Sequence, residues 1–197
     1  MIHPATELRY VNPQIGFGVF ATEFIPEGTI VYVHDSLEIV LAPHDERLGQ
    51  EPYRRVFARY AHTDPDGSQT LSWDIARYVN HCCQANTLST GYGFEIAVRD
   101  ILAGEEITDE YALFMFGVGM PLTCSREGCR GTITVDDLAL NGDHWDGQIQ
   151  AALRFVRAVP QPLWPYLDTV SREQVDLYLD TGVGYPSVHT LRPDSPQ

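Results

Sequence analysis

Arg77-Tyr78-Val79-Asn80-His81-Cys82-Cys83-Gln84-Ala85-Asn86 is the stretch on which the reading of this chain turns. It is a dense polar motif set between two runs with strand character, Gln69 to Trp73 and the alternating Phe94 to Val98. Upstream, Asp64-Pro65-Asp66-Gly67 is a turn, and residues 43–62 carry Leu48, Tyr53, Val56, Phe57 and Tyr60 at helical spacing. Residues 7–42 read as short strands, such as Thr29 to Val33 and Leu37 to Leu41, punctuated by Gly16-Phe17-Gly18 and Pro26-Glu27-Gly28. Downstream, the Ala103-Gly104 turn leads into Glu105 to Tyr111, and Cys124 to Gly131 is a small loop. Trp145 to Val159 has one apolar face (Ile149, Ala152, Leu153, Val156) and predicts an amphipathic helix, broken by Pro160, Pro162 and Pro165. Ser171 to Leu179 predicts a second helix with Ser171 as N-cap. The Pro-rich, polar stretch from Tyr185 to Gln197 predicts a frayed end.

The 197 residues, 44% of them hydrophobic, suffice for one compact core with a small appended element. The longest apolar run, residues 112–120, is far short of the ~20 residues that span a bilayer. The first ten residues lack a secretory pattern, so a cytoplasmic location is the simplest expectation. A net charge of −14 disfavours nucleic acid and anionic membranes and suits basic partners, although solubility alone accounts for it equally well. All 13 basic residues are arginine. GC-rich coding produces such a bias. Four spaced cysteines in a cytosolic chain suggest a metal rather than disulfides. Gly16-Phe17-Gly18-Val19-Phe20-Ala21 fits the loose G-x-G-x-x-A pattern, but no long helix can follow through Pro26-Glu27-Gly28, which argues against a dinucleotide fold.

Three segments, in order, resemble the SET-domain family. They are Gly16-Phe17-Gly18-Val19-Phe20 with Ile25-Pro26-Glu27-Gly28, the Asn80-His81-Cys82 motif within Arg77 to Asn86, and Gly104-Glu105-Glu106-Ile107-Thr108-Asp109-Glu110-Tyr111. A fourth, weaker match is Cys124 to Gly131, which looks like the family's post-SET cysteine loop. The resemblance implies a mainly β fold with helices, built of several small twisted sheets with a knot-like crossing of the second and third motifs. It divides the chain into a SET domain (7–120, with a variable insert at 43–74), a post-SET-like loop (121–133), a C-terminal helical extension (134–184) and a flexible tail (185–197). It also implies S-adenosylmethionine-dependent methylation of lysine in a basic protein, with no direct nucleic-acid or membrane partner.

By that resemblance Tyr111 is the catalytic tyrosine and touches the cofactor. Gly16, Phe17, Gly18, Tyr78, Asn80 and His81 complete the cofactor set, Asn80 and His81 largely through backbone groups. Tyr92, Phe94 and Asp109 are the substrate channel, and Cys83, Cys124 and Cys129 the structural zinc ligands. Taken singly, Tyr111 and His81 read more readily as core residues, and Trp73 and Trp145 as packing; only their joint occurrence reverses this for Tyr111, Asn80 and His81. The chain also departs from the family. Asp109 stands where relatives often carry Phe or Tyr, and Leu122 where the post-SET loop has its first cysteine. The fourth zinc position falls to Cys82, to a histidine such as His144, or to water; otherwise there is no metal and the later helices close the pocket. The alternative to an enzyme is a non-catalytic SET-like module that binds basic peptides.

Overall fold

The computed structural model describes residues 1–64, 66–114, 119–124 and 126–191. A hairpin begins the fold. β1 (Thr6–Asn12) pairs antiparallel with β2 (Gly16–Ala21). The Asn12 side chain accepts the N–H groups of Gln14 and Ile15, and Gly16 at φ +89° completes the turn, a conformation in which a side chain would be strained.

β3 (Ile30–Val33) is buried along its whole length. β4 (Ile39–Leu41) leads into α1 (Tyr53–Tyr60), where the helical spacing of residues 43–62 is realised in eight residues. β5 (His62–Thr63) and β6 (Gln69–Leu71) join β4 in the order β4-β6-β5. Leu41, Phe57 and Leu71 give this unit a small core of its own.

The polar motif enters as β7 (Asn80–His81), followed by β8 (Thr87–Ser89), β9 (Phe94–Ala97) and β10 (Glu106–Asp109). β8 and β9 complete a sheet of order β3-β9-β8. β10 lies antiparallel to β2 and parallel to β7, with Thr108 opposite Asn80 and Asp109 opposite His81, giving the order β1-β2-β10-β7. Adjacent parallel strands need a crossover connection, and here β8 and β9 form it. The buried Asn86 side chain fixes the crossing: it donates to Glu106 O and accepts Thr108 N–H, both at 2.8 Å.

β11 (Met120–Pro121) and β12 (Thr132–Ile133) flank the cysteine loop. The predicted helix at 145–159 is α2 (Asp137–Leu153), shifted towards the N-terminus. Asp137 accepts the N–H and hydroxyl of Thr134 and starts it, while Gly142 and Gly147 weaken the helical signal of its first half. Gly142 is the point of close approach to His189, whose ring would lie 2.5 Å from an added Cβ. The second predicted helix is α3 (Thr169–Thr181). Its N-cap is Asp168, which accepts Ser171 N–H at 3.0 Å; Ser171 instead donates its hydroxyl to Tyr92 O at 2.8 Å. The stretch expected to fray is held in place from Tyr185 to Leu191. Asp146 of α2 accepts the Tyr185 and Ser187 hydroxyls and Val188 N–H, and Val188 is fully buried. Residues 192–197 lie outside the described residues.

The architecture is mainly β with three helices. Its largest core joins Ile30, Phe94 and Ile96 of one sheet to Trp145, Ile149 and Leu153 of α2, and to Val175 and Val188. The C-terminal helices therefore share the core that backs β9 and, through it, the site. No helix among the described residues is long and apolar enough to cross a membrane.

Candidate active site

The parallel pairing of β7 and β10 delivers Tyr111 to the second motif. Its hydroxyl donates to Val79 O at 2.6 Å, and its N–H donates to His81 Nδ1 at 3.3 Å. Burial, then the Arg130 charge, push the His81 imidazole down to about 4, so the ring is neutral at pH 7. With Nδ1 accepting, Nε2 carries the proton and faces Cys83 Sγ at 3.3 Å. The imidazole thus acts as a brace between Tyr111 and the cysteine loop. Burial and the nearby Asp109 and Glu95 charges raise the Tyr111 phenol, so it keeps its proton.

Two carboxyls precede Tyr111, each only 1% exposed. Glu110 caps the turn at Ala112 N–H and pairs with Arg130 at 2.6 Å; Arg130 also pairs with Asp137 at 3.0 Å and lies over the Trp145 ring. Asp109 points to other partners. Ser89 donates to it at 3.0 Å and Glu110 N–H at 2.7 Å, and Ser89 stands opposite the half-buried Glu95 in the β8–β9 pairing, which brings the two carboxyls to one place. Two carboxyls can share a hydrogen bond only when one holds a proton. Burial raises both, Asp109 to about 7.

These groups line a cavity of about 620 Å³ between the β4-β6-β5 unit and the site strands. Tyr32, Tyr60, Phe94 and Phe114 supply aromatic wall, and Glu95, Asp109 and Tyr111 supply polar lining. Of the three expected channel residues, Phe94 and Asp109 line it. Tyr92 is not among the lining residues: it stacks on Phe94 at 5.8 Å and packs against Tyr185 beneath α3. Glu95 was not anticipated from sequence; its only signal was a carboxylate inside an alternating apolar strand.

The expected cofactor residues converge elsewhere on the same sheet. The Asn80 side-chain amide donates to Phe17 O at 3.0 Å and Glu106 Oε1 at 2.8 Å, tying all three motifs together. Gly18 makes room for this, since an added Cβ would collide with Asn80 and Glu106. Among the described residues β7 is the edge strand of its sheet, and one side of the Asn80–His81 backbone has no strand partner there. Phe17, 46% exposed, meets Tyr10 and Tyr78 edge-on, and Tyr78 meets Tyr60. A free strand edge beside an exposed aromatic cluster fits a ligand that carries both an amino-acid part and a flat ring.

Cys83, Cys124 and Cys129 place their sulfurs within 4.8 Å of one another. The Cys83–Cys129 separation of 3.9 Å matches the spacing of about 3.8 Å that tetrahedral thiolates at ~2.3 Å from zinc would have. Arg130 N–H and Gly131 N–H point at Cys83 and Cys129 sulfurs, as suits thiolates. The three residues therefore fit a zinc ion. His144 is not part of this group, and Cys82 reaches only Cys124, at 3.9 Å.

The SET domain family model matches residues 16–112. Histone-lysine N-methyltransferase set1 of Dictyostelium discoideum is 30% identical over 127 residues, 59% of this chain and 8% of that protein. Human histone-lysine N-methyltransferase SETD1A is 27% identical over 138 residues, 64% of this chain and again 8% of its own length. The chain thus matches less than a tenth of these relatives. Among solved structures, the methyltransferase domain of human histone-lysine N-methyltransferase SETMAR aligns with a TM-score of 0.43 at 19% identity, covering 68% of this chain and 58% of that one. Residues 16–112, which contain the crossing, Tyr111 and the Gly16-Phe17-Gly18 strand, are a SET domain.

Proposed function

We propose that the protein transfers a methyl group from S-adenosylmethionine to the side-chain amine of lysine in a basic protein. The observation that carries this reading is Tyr111, braced by Val79 O and His81, opening into a cavity with aromatic walls and a carboxylate floor. Such a cavity suits an alkyl chain ending in a cation. The histone-lysine methyltransferase relatives and the net charge of −14 support a basic protein substrate.

Bound at the free β7 edge with Gly16, Phe17, Gly18, Tyr78, Asn80 and His81, the cofactor supplies an electrophilic methyl on a sulfonium. Tyr111 holds the acceptor nitrogen in line through its oxygen, which keeps lone-pair capacity while its proton is spent on Val79 O. Phe94 and the cavity aromatics exclude water and fix the alkyl chain. Cys83, Cys124 and Cys129 hold a structural zinc that fastens the loop to the His81 strand. Elemental analysis of gently purified protein is expected to find about one zinc per chain; well under one removes the metal from this reading.

Calorimetric titration with S-adenosylmethionine and S-adenosylhomocysteine tests the whole. One site per chain is expected, and Tyr111→Phe should keep that affinity while lowering methyl transfer to histones roughly 100-fold or more. Absence of cofactor binding by folded protein excludes methyl transfer. Cofactor-independent binding of basic peptides, insensitive to Tyr111→Phe, would instead favour a binding module, the reading to which Asp109 lends weight.

A further inference from the structure

Lysine methylation needs a neutral amine, yet a free lysine is an ammonium with a pKa of about 10.4. Some group must take the surplus proton. The cavity offers few. The neighbouring Glu110 lies outside the lining and is occupied by Arg130 and Ala112 N–H. Asp64, bonded by Thr70 and His62, is held down at about 2 and is too weak a base. His34 is pushed down to about 4 by burial and His62. The Tyr111 phenol is already protonated and donates to Val79 O.

Resting on the methyl-transfer reading, we propose that Glu95 and Asp109 form a proton-accepting pair that takes the substrate ammonium's proton beside Tyr111. Both line the cavity, Glu95 from β9 and Asp109 from β10, bridged by Ser89, which stands opposite Glu95 and donates to Asp109, and Asp109 lies two residues from Tyr111. An acid–carboxylate pair carries one negative charge and has room for one more proton. Its surroundings keep it near neutral affinity. Ser89 from β8 and Glu110 N–H donate to Asp109, Glu110 repels it, Tyr111 and the Tyr32 phenol of β3 border the pair, and the Met1 amino group lowers Glu95. The value of about 7 for Asp109 suits a base working near pH 7.

The steps balance. The ammonium proton moves to the pair, which then holds two protons. The freed nitrogen lone pair makes the new C–N bond as the C–S bond breaks, its electrons staying on sulfur. One proton leaves the pair for solvent, so each methyl transferred releases one proton. Glu95 and Asp109 also give the amine end of the cavity a charge that draws a cation in.

Two measurements test this. In single-turnover methylation of core histones with labelled S-adenosylmethionine, Glu95→Gln and Asp109→Asn should each slow transfer about 100-fold at pH 7. The deficit should close towards pH ~10, where lysine sheds its own proton. A wild-type pH profile in both variants, with change confined to KM, overturns the proposal. The second measurement needs no methyl transfer. Infrared difference spectra on adding n-butylammonium in the presence of S-adenosylhomocysteine should show a gain in protonated-carboxyl absorbance for wild type and none for the double variant. No gain in wild type, or an equal gain in the double variant, overturns the pair. Failure of wild type to methylate any histone counts against the methyl-transfer reading, while the infrared result still decides the pair.

Discussion

Asp109 and Glu110 are neighbours in sequence and equally buried, yet they serve opposite ends. Glu110 faces the cysteine loop, where Arg130 neutralises it and Asp137 extends the ion pair to α2. Asp109 faces the cavity, where its partners are a hydroxyl, an amide and another carboxyl. Alternation along a strand sends successive side chains to opposite faces. Glu110, the residue just past β10, therefore holds a compensated charge that fastens two parts of the molecule, and Asp109 at the end of β10 an uncompensated one that costs stability. A buried carboxyl without a cation is retained where its proton has a use.

Removing the compensation should have the largest effect. Arg130→Ala leaves Glu110 buried without its counter-ion and should cost about 3 kcal/mol in urea unfolding. Arg130→Met with Glu110→Gln should recover most of that, because the charge then leaves with its partner. Equal stability of Arg130→Ala and wild type would mean that the two carboxyls do not differ. Asp109→Asn should act in the other direction and less strongly. The folded state keeps the Asp109 proton up to about pH 7, whereas the unfolded chain releases it near the ordinary value of 3.8. The unfolded state then binds fewer protons between these values, so stability falls as pH rises through that window. The variant should therefore gain on the order of 2 kcal/mol at pH 8 and nothing near pH 4. A gain that is the same at both pH values would assign it to packing instead.

Much of this was legible in the sequence where local chemistry decides structure. The Gly16 turn, the β-branched run of β3, the helical spacing before Tyr60 and the paired Asn80-His81 and Glu105-Glu106 motifs all reported their elements. Sequence order also tied Tyr111 to the Asn80-His81 motif, which the structure sets against it. Tertiary contacts were not legible. Nothing local tells that Asp168 rather than Ser171 caps α3, since Ser171 spends its hydroxyl on Tyr92 O, 79 positions away. Glu95 drew no attention in the alternating Phe94 to Val98 run, and only the fold sets it in the cavity with Asp109. Tyr92 was expected in the channel, but the core claims it because α3 and Tyr185 pack over it. The terminal stretch has the composition of a loose tail, and one buried acceptor set on Asp146 holds it as far as Leu191.

That anchorage has a consequence for the order of events on the ribosome. Ile30 and Val188 belong to one core, so the core cannot close until the chain has been synthesised through Val188. Strands β3, β8 and β9 emerge early, with an apolar face that must wait for α2, α3 and the segment held by Asp146. Long-range contacts of this kind slow folding and lengthen the interval in which the sheet is exposed to other chains.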